Sequence, residues 1–329
     1  MQADAGPFRQ VDRTLLHAML AIVNVILPVF GIMLAGYLCG HFGILGEGSS
    51  QALNAFVYNV ALPALFFISL SQVPIGDSLN LPFIAAFYGG VLAVFGFSMA
   101  VATFVFPNRP GGLSLHAMSA AFSNTGYMGI PLLAIAFGDS ARMPGIISTV
   151  LNGTLFLGLI TLILEIDSND GGFGEILRQA FAGLLKSPLI MSAAAGLTVS
   201  ALGFELPTAL ATFCNLLGVT AGPCALFAIG LFMVGKSVRS GLGEVLWISL
   251  LKLVALPLLT YVLAYYVLPL SPVEAASAVV LAALPTGTLT FVLAQRYRTY
   301  TQRSVSEILI STLLSIVTLA VLFAFLEIE

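Results

Sequence analysis

Charge is the first thing this sequence lacks. Twelve Lys and Arg and fifteen Asp and Glu are spread over 329 residues, 8% of the chain against about 25% in soluble domains. A soluble fold of this length has to coat its surface in charge, and so few ionised side chains cannot do it. Cysteine is also scarce. Cys39, Cys214 and Cys224 lie in apolar runs with no paired spacing, which excludes a disulfide framework and leaves small buried hydrophobes. The three histidines (His17, His41, His116) show no His-x-x-x-His or His-Glu pairing, so no metal site is expected and they read as interfacial residues near helix ends. Catalytic signatures are missing too. No Gly-x-Gly-Asp, His-Glu-x-x-His or Gly-x-Ser-x-Gly has a partner, so an enzyme is not expected. No basic cluster suggests nucleic acid.

What is abundant is hydrocarbon. Hydrophobic residues make up 59% of the chain, and mean hydropathy is +1.04. A transmembrane helix needs about 20 apolar residues. That rule gives ten spans, at 17–40, 51–71, 81–106, 113–138, 144–165, 183–203, 207–235, 242–268, 272–295 and 303–326. The N-terminal run is too long for the apolar part of a signal peptide and has no Ala-x-Ala exit, so it reads as a retained first span. Loops such as "GEGSS" (46–50) and "PNRPGG" (107–112) are short, and no separate soluble domain fits. The loops facing the N-terminal side hold Arg9, Arg13 and Arg142. The opposite side holds Arg109, Arg178, Lys186, Lys236, Arg239, Arg296, Arg298 and Arg303. Eight against three assigns the second side to the cytoplasm and both termini to the outside.

The chain also repeats itself. "PVFGIMLAGYLCGHFG" (28–43) lies over "PLIMSAAAGLTVSALG" (188–203) at an offset of 160, and "PALFFISL" (63–70) over "CALFAIGL" (224–231) at 161. Five spans per half is an odd number, so the second half inserts upside down, as in many secondary transporters. The expected fold is all-α, with a first repeat over 1–167, a cytoplasmic linker at 168–182 and an inverted repeat over 183–329.

Two spans carry residues that a membrane helix avoids. Span 4 contains "AFSNTGYMGIPLLAIAFG" (121–138), with Asn124, Thr125, Gly126, Gly129 and Pro131. Its counterpart at an offset of about 158 is span 9, "ASAVVLAALPTGTLTFVLA" (276–294), with Pro285, Thr286, Gly287 and Thr288. Irregular backbone survives in a membrane only inside protein or beside a wet cavity. A broken helix also presents free N–H groups and a partly positive end, which suit an anion. Two breaks meeting near the midplane predict a binding site made by these nine residues. Strict alignment sets Pro285 opposite Tyr127, so the two halves of the site are unlike.

"SNTGYMGIPLL" resembles the Asn-x-x-x-x-Gly-Ile-Pro-Leu signature of the auxin efflux carrier family, which includes plant auxin exporters and bacterial malonate-type carriers. "ALPTGTLTFVLAQRYR" (283–298) is similar to that family's ninth-span motif. The resemblance implies ten helices, a scaffold of spans 1, 2, 6 and 7 that commonly dimerises, and a moving domain of spans 3–5 and 8–10. Helices 4 and 9 would cross at their prolines. Asn124, Pro131, Pro285 and Gly287 match motif positions, whereas Thr286 stands where the family often has an amide. About 17 residues separate spans 5 and 6, a short linker typical of bacterial members and so of a bacterial inner membrane.

Three further polar positions matter. Lys252 lies about ten residues into span 8, roughly 15 Å along the helix. It reads as a partner for a substrate carboxylate, a proton sensor, or a structural contact to carbonyls. Asn152 in span 5 adjoins the broken helix. Glu307 follows Arg303 by four residues and is placed to pair with it. The function this predicts is a secondary transporter of a small organic anion, with outward efflux fitting the family. It needs no cofactor, and coupling to nothing, to protons or to sodium stays open. A channel and a membrane-embedded enzyme are the competing classes.

Overall fold

The computed structural model describes residues 27–46, 48–72, 80–168, 187–235 and 241–326. Arg9, Arg13, His17, Arg178, Lys186, Lys236, Arg239 and most of the predicted linker lie outside them. Among the described residues the regular structure is helical, apart from one isolated pair of bridged residues. In chain order the helices are α1 (Leu27–His41), α2 (Ser49–Ser71), α3 (Leu81–Val105), α4 (Pro110–Ala121), α5 (125–137), α6 (142–168) and α7 (Pro188–Ala201). The series continues with α8 (Thr208–Gly218), α9 (Ala221–Met233), α10 (Leu242–Val267), α11 (Pro272–Ala283), α12 (Leu289–Arg296) and α13 (Thr301–Phe325).

Six stretches are long and apolar enough to cross a membrane: Ser49–Ser71, Leu81–Val105, Thr125–Leu151, Thr208–Met233, Leu242–Val267 and Thr301–Phe325. Leu27–His41, Pro188–Ala201 and Pro272–Ala283 are shorter apolar helices. The expectation of ten spans is thus met in part. The first and sixth spans begin outside the described residues, and the fourth and ninth are each split in two. The Thr125–Leu151 stretch turns at Gly138, whose φ of 64° is a left-handed conformation suited to glycine. Local sequence explains several starts. Asn80 accepts from the Phe83 N–H at 3.0 Å to cap α3. Ser271 and Glu274 form a capping box on α11, and proline occupies the first turn of α3, α4, α7 and α11, where a missing N–H costs nothing.

The core has two parts. The larger is built from α3, α4, α5, α6, α10, α11 and α13 around Phe87, Leu115, Met118, Leu281 and Phe323. The smaller joins α2, α7 and α9 through Phe66, Leu189, Ala193, Ala221 and Ala225, with Ile146 of α6. Two close crossings bind the second group, α1 on α9 and α7 on α2. They are reciprocal. A Cβ on Gly36 would stand 2.2 Å from the Phe227 carbonyl oxygen, and one on Gly196 would stand 2.7 Å from that of Phe67. Gly36 and Gly196 are 160 residues apart, and so are Phe67 and Phe227. Spatial correspondence on the second pair is therefore 160, one residue off the offset of 161 suggested by the "ALF" match.

Overpacking a tight contact typically costs about 1–3 kcal/mol. Gly36→Ala should lower the midpoint of thermal unfolding in detergent, because the Phe227 backbone must move. Gly31→Ala, with nothing within 4 Å of its Cβ, should leave that midpoint unchanged.

Candidate binding site at the paired helix breaks

The chain leaves the helix at two points. After Ala121, Phe122 has ψ 100° and Asn124 ψ 57°. After Ala283, Leu284 has ψ 154°, as a residue before proline prefers. The two short extended pieces lie antiparallel. The Asn124 N–H donates to the Pro285 carbonyl at 3.0 Å and the Gly287 N–H to the Phe122 carbonyl at 2.9 Å, so Ser123 bridges Thr286. Thr286 adds two bonds, its hydroxyl donating to Ser119 O at 2.7 Å and its N–H to Ser311 Oγ at 3.2 Å. An unpaired backbone group in hydrocarbon costs several kcal/mol. Each break therefore supplies the partners the other has lost. Glycine allows the approach: a Cβ on Gly287 would lie 2.5 Å from the Phe122 ring, and one on Gly126 2.8 Å from Thr149 Cγ2.

Among the described residues the N–H groups of Gly126 and Tyr127, opening α5, and of Thr288 and Leu289, opening α12, find no backbone acceptor. Asn124 has its backbone occupied, its carbonyl accepting from Met128 and Gly129 at 3.1 and 3.0 Å, while its side-chain amide has no partner among the described residues. All five residues line one pocket of about 40 Å³, with Tyr58, Leu62, Thr125, Thr149, Asn152 and Leu189 among the other walls. One water needs about 10–15 Å³, so this is room for a group of carboxylate size. Among the described residues no Asp, Glu, Lys, Arg or His lines it. Negative charge here would meet helix N-termini and an amide.

Asn152 is held from both ends. It accepts from the Tyr88 hydroxyl at 2.7 Å, and its amide donates to Thr125 Oγ1 at 3.2 Å and Ser123 O at 3.4 Å. Tyr127, Thr288 and Leu289 also line a second cavity of about 890 Å³. This vestibule lies between α1, α2 and α9 on one side and α12 on the other, and reaches the loop at Gly43–Gly48. Its polar lining among the described residues is Tyr127, Thr288, Ser50, Gln51, Asn54 and Gln295, all uncharged side chains.

A family of membrane transport proteins matches residues 21–323. The chain is 32% identical over 305 residues to a Rhizobium meliloti protein named "Putative malonate transporter", covering 91% of this chain and 94% of that one. It is 25% identical to the Escherichia coli "Uncharacterized transporter YfdV" over 303 residues, 90% and 95% of the two chains. It is also 26% identical over 261 residues to the mouse "Lysosomal cholesterol signaling protein", 71% of this chain but 29% of the other. The chain belongs to the auxin efflux carrier family of membrane transport proteins.

In this transporter Asn124, Thr125, Gly126, Asn152 and Thr288 line the crossover pocket. Pro285 and Gly287 form the backbone bridge, and Thr286 ties it to α4 and α13. Gly129 packs against Leu281 and Leu284, and Pro131 against Gly222 of α9. The expectation that Pro131 makes the break, with the helices crossing at both prolines, is corrected. The interruption lies at 122–124, and Pro131 sits in the first α-helical turn after a widened π turn at Thr125–Gly129, where its ring and missing N–H are tolerated. In space Pro285 lies beside Asn124, through the Asn124 N–H bond to its carbonyl.

Lys252 is not at this pocket. It is fully buried on α10 and donates to Ala282 O at 2.6 Å. Glu307 does not pair with Arg303. Arg303 Nε instead reaches Glu244 Oε2 at 3.0 Å, and Glu307 accepts from Ser249 at 3.0 Å. His116 is a core residue, 1% exposed, with Nδ1 2.8 Å from Glu244. Tyr300, at the loop before α13, donates to the same carboxylate at 2.5 Å. Burial, then that bond, pushes its hydroxyl well above the usual tyrosine range. The sequence held one signal for this cluster, a lone His and a lone Glu set inside apolar runs.

Removing the Tyr88 hydroxyl leaves Asn152 one bond short, worth about 1 kcal/mol. Tyr88→Phe should therefore lower the midpoint of thermal unfolding of the purified protein in detergent, while Tyr127→Phe, at the pocket wall, should not.

Proposed function

We propose that this protein is a secondary carrier of a small organic anion of malonate type, bound where the two interrupted helices meet. One observation carries the reading: the breaks satisfy each other's backbone and leave four N–H groups and the Asn124 amide at a common pocket. The name of the Rhizobium meliloti relative supports a malonate-like dicarboxylate, with an auxin-like weak acid as the alternative cargo. The ligand's carboxylate takes the pocket, and the rest of it extends past Tyr127 into the vestibule.

The architecture we infer is ten membrane helices in two inverted repeats of five. The reciprocal glycine contacts at a constant offset favour it, as do two breaks joined as an antiparallel pair. Helices α1, α2 and α7–α9 act as scaffold, the surface for a homodimer. The bundle holding both breaks slides against it in an elevator motion, and outward efflux is the direction proposed. The arginine and lysine distribution turns the vestibule toward the cytoplasm of a bacterial inner membrane, with both termini outside. A channel would require a path continuing beyond the pocket, whereas the vestibule narrows to a space of about 40 Å³. The family and its relatives carry the names of transporters, which speaks against an enzyme.

Reconstituted protein should take up labelled malonate. Asn124→Ala, which removes one hydrogen bond to a charged group worth about 1.5–3 kcal/mol, should cut uptake at limiting substrate roughly 10–100-fold. Absence of transport for every mono- and dicarboxylate tested, or uptake unaffected by Asn124→Ala, refutes the assignment. Sidedness has its own check. A cysteine introduced by Ser50→Cys should react with an impermeant thiol reagent only from the cytoplasmic face.

A further inference from the structure

The interior of the larger bundle holds charges that the crossover does not use. Lys252 and Glu307 are both 0% exposed, yet they do not come within ion-pair distance of each other. Among the described residues Lys252 Nζ has one hydrogen-bond partner, Ala282 O at 2.6 Å. Glu307 Oε1 accepts from Ser249, and its Oε2 is buried with no partner among the described residues. A lone buried carboxylate or ammonium is strongly disfavoured in a low-dielectric interior, and such groups usually change protonation state instead.

These residues belong to a polar seam between α10 and α13. It starts where Arg303, with a side chain 40% exposed, meets Glu244, which also receives His116 and Tyr300. One turn deeper are Glu307 and Ser249, and one turn deeper again are Lys252 and Ser311. The last two hold the ninth-span break itself, Lys252 through Ala282 O and Ser311 through the Thr286 N–H. The ionisable groups on elements packed against this part of α13 are few. Glu244 and Lys252 come from α10 and His116 from α4. Arg296 of α12 lies over the Tyr297 ring, and Glu274 of α11 is occupied at the far end by Ser271 and Asn80. None of these neutralises Glu307 by contact.

We propose that Glu307 and Lys252 form a proton-binding site inside the moving bundle, loaded in step with the anion at the crossover. With the crossover empty, the pair shares one proton and is neutral overall. On loading, a proton from the water at the Arg303 end binds Glu307 Oε2 to give the carboxylic acid, while Lys252 stays an ammonium. The pair then carries one positive charge, behind the Ala282 carbonyl in the last turn of α11 that leads into the ninth-span break. Release of the anion returns that proton to water. Linkage requires reciprocity, so anion binding must draw the proton in as strongly as the proton favours the anion. The bundle thus moves an anion with its charge partly compensated.

This rests on the carrier reading above, and the test separates the two. Malonate is added to purified protein in weakly buffered detergent with a pH-sensitive dye, and binding is followed in parallel by thermal stabilisation. The expected result is proton uptake approaching one per malonate bound. Glu307→Gln should bind malonate with no proton uptake. Binding without uptake in the natural protein, or undiminished uptake in Glu307→Gln, overturns the proposal. If malonate fails to bind, the substrate assignment falls, and infrared spectroscopy across a pH titration decides the proton site without a ligand. A buried carboxylic C=O band that grows in as the pH is lowered in the natural protein and is missing in Glu307→Gln supports it, and a band that grows in unchanged in the variant contradicts it. Ser249→Ala guards against misfolding of the Gln variant. It should displace the pH midpoint of proton binding while keeping the same stoichiometry, and an unmoved midpoint counts against Glu307 as the acceptor.

Discussion

Everything in this structure leans on two hydrogen bonds, from Asn124 to Pro285 and from Gly287 to Phe122. A membrane helix cannot stop midway unless something replaces the backbone partners it gives up. Here the replacement is the matching interruption of another helix. Neither break is affordable alone in hydrocarbon, and together they form a two-residue antiparallel bridge that sets α5 and α12 with their first turns at one small space. The same arrangement leaves first-turn N–H groups unpaired, which is a cost until something accepts from them. In the proposed carrier an anion does so, and the site's chemistry then follows from the backbone before any side chain is considered.

Side chains refine it. Asn124 contributes an amide that the protein does not use, and Asn152 is locked by Tyr88 and Thr125 so that the adjoining wall is rigid. Lys252 and Ser311 hold the second break from behind, and Thr286 ties it to α4. The transporter therefore fixes its irregular backbone from the bundle side while leaving the vestibule side open. On the opposite flank, α1, α2, α7 and α9 are joined through bare glycine-to-carbonyl contacts, which bring backbones close enough to make those crossings stiff.

The sequence was enough to find an all-helical membrane chain and its two irregular segments, because proline, glycine and asparagine inside apolar runs are conspicuous against lipid-facing composition. It pointed to Pro131 as the breaking residue, and this failed for a physical reason. Proline is tolerated in the first turn of a helix, and the true interruption depends on a partner strand about 160 residues away that local rules cannot see. Glu307 beside Arg303 on a helix looked like a pair, but the arginine had a better partner in Glu244, two residues into another helix. His116 stood out only as a lone His in an apolar run and Tyr88 gave no local signal, since their roles exist only where helices meet.

The central claim, that the paired breaks are where the anion sits, is tested most directly by an experimental structure of the transporter with malonate bound. The account predicts ligand density at the crossover, with one carboxylate within hydrogen-bond distance of the Asn124 amide and of the first-turn N–H groups of α5 and α12. Density confined to the vestibule, or bound elsewhere with the crossover empty, would contradict it.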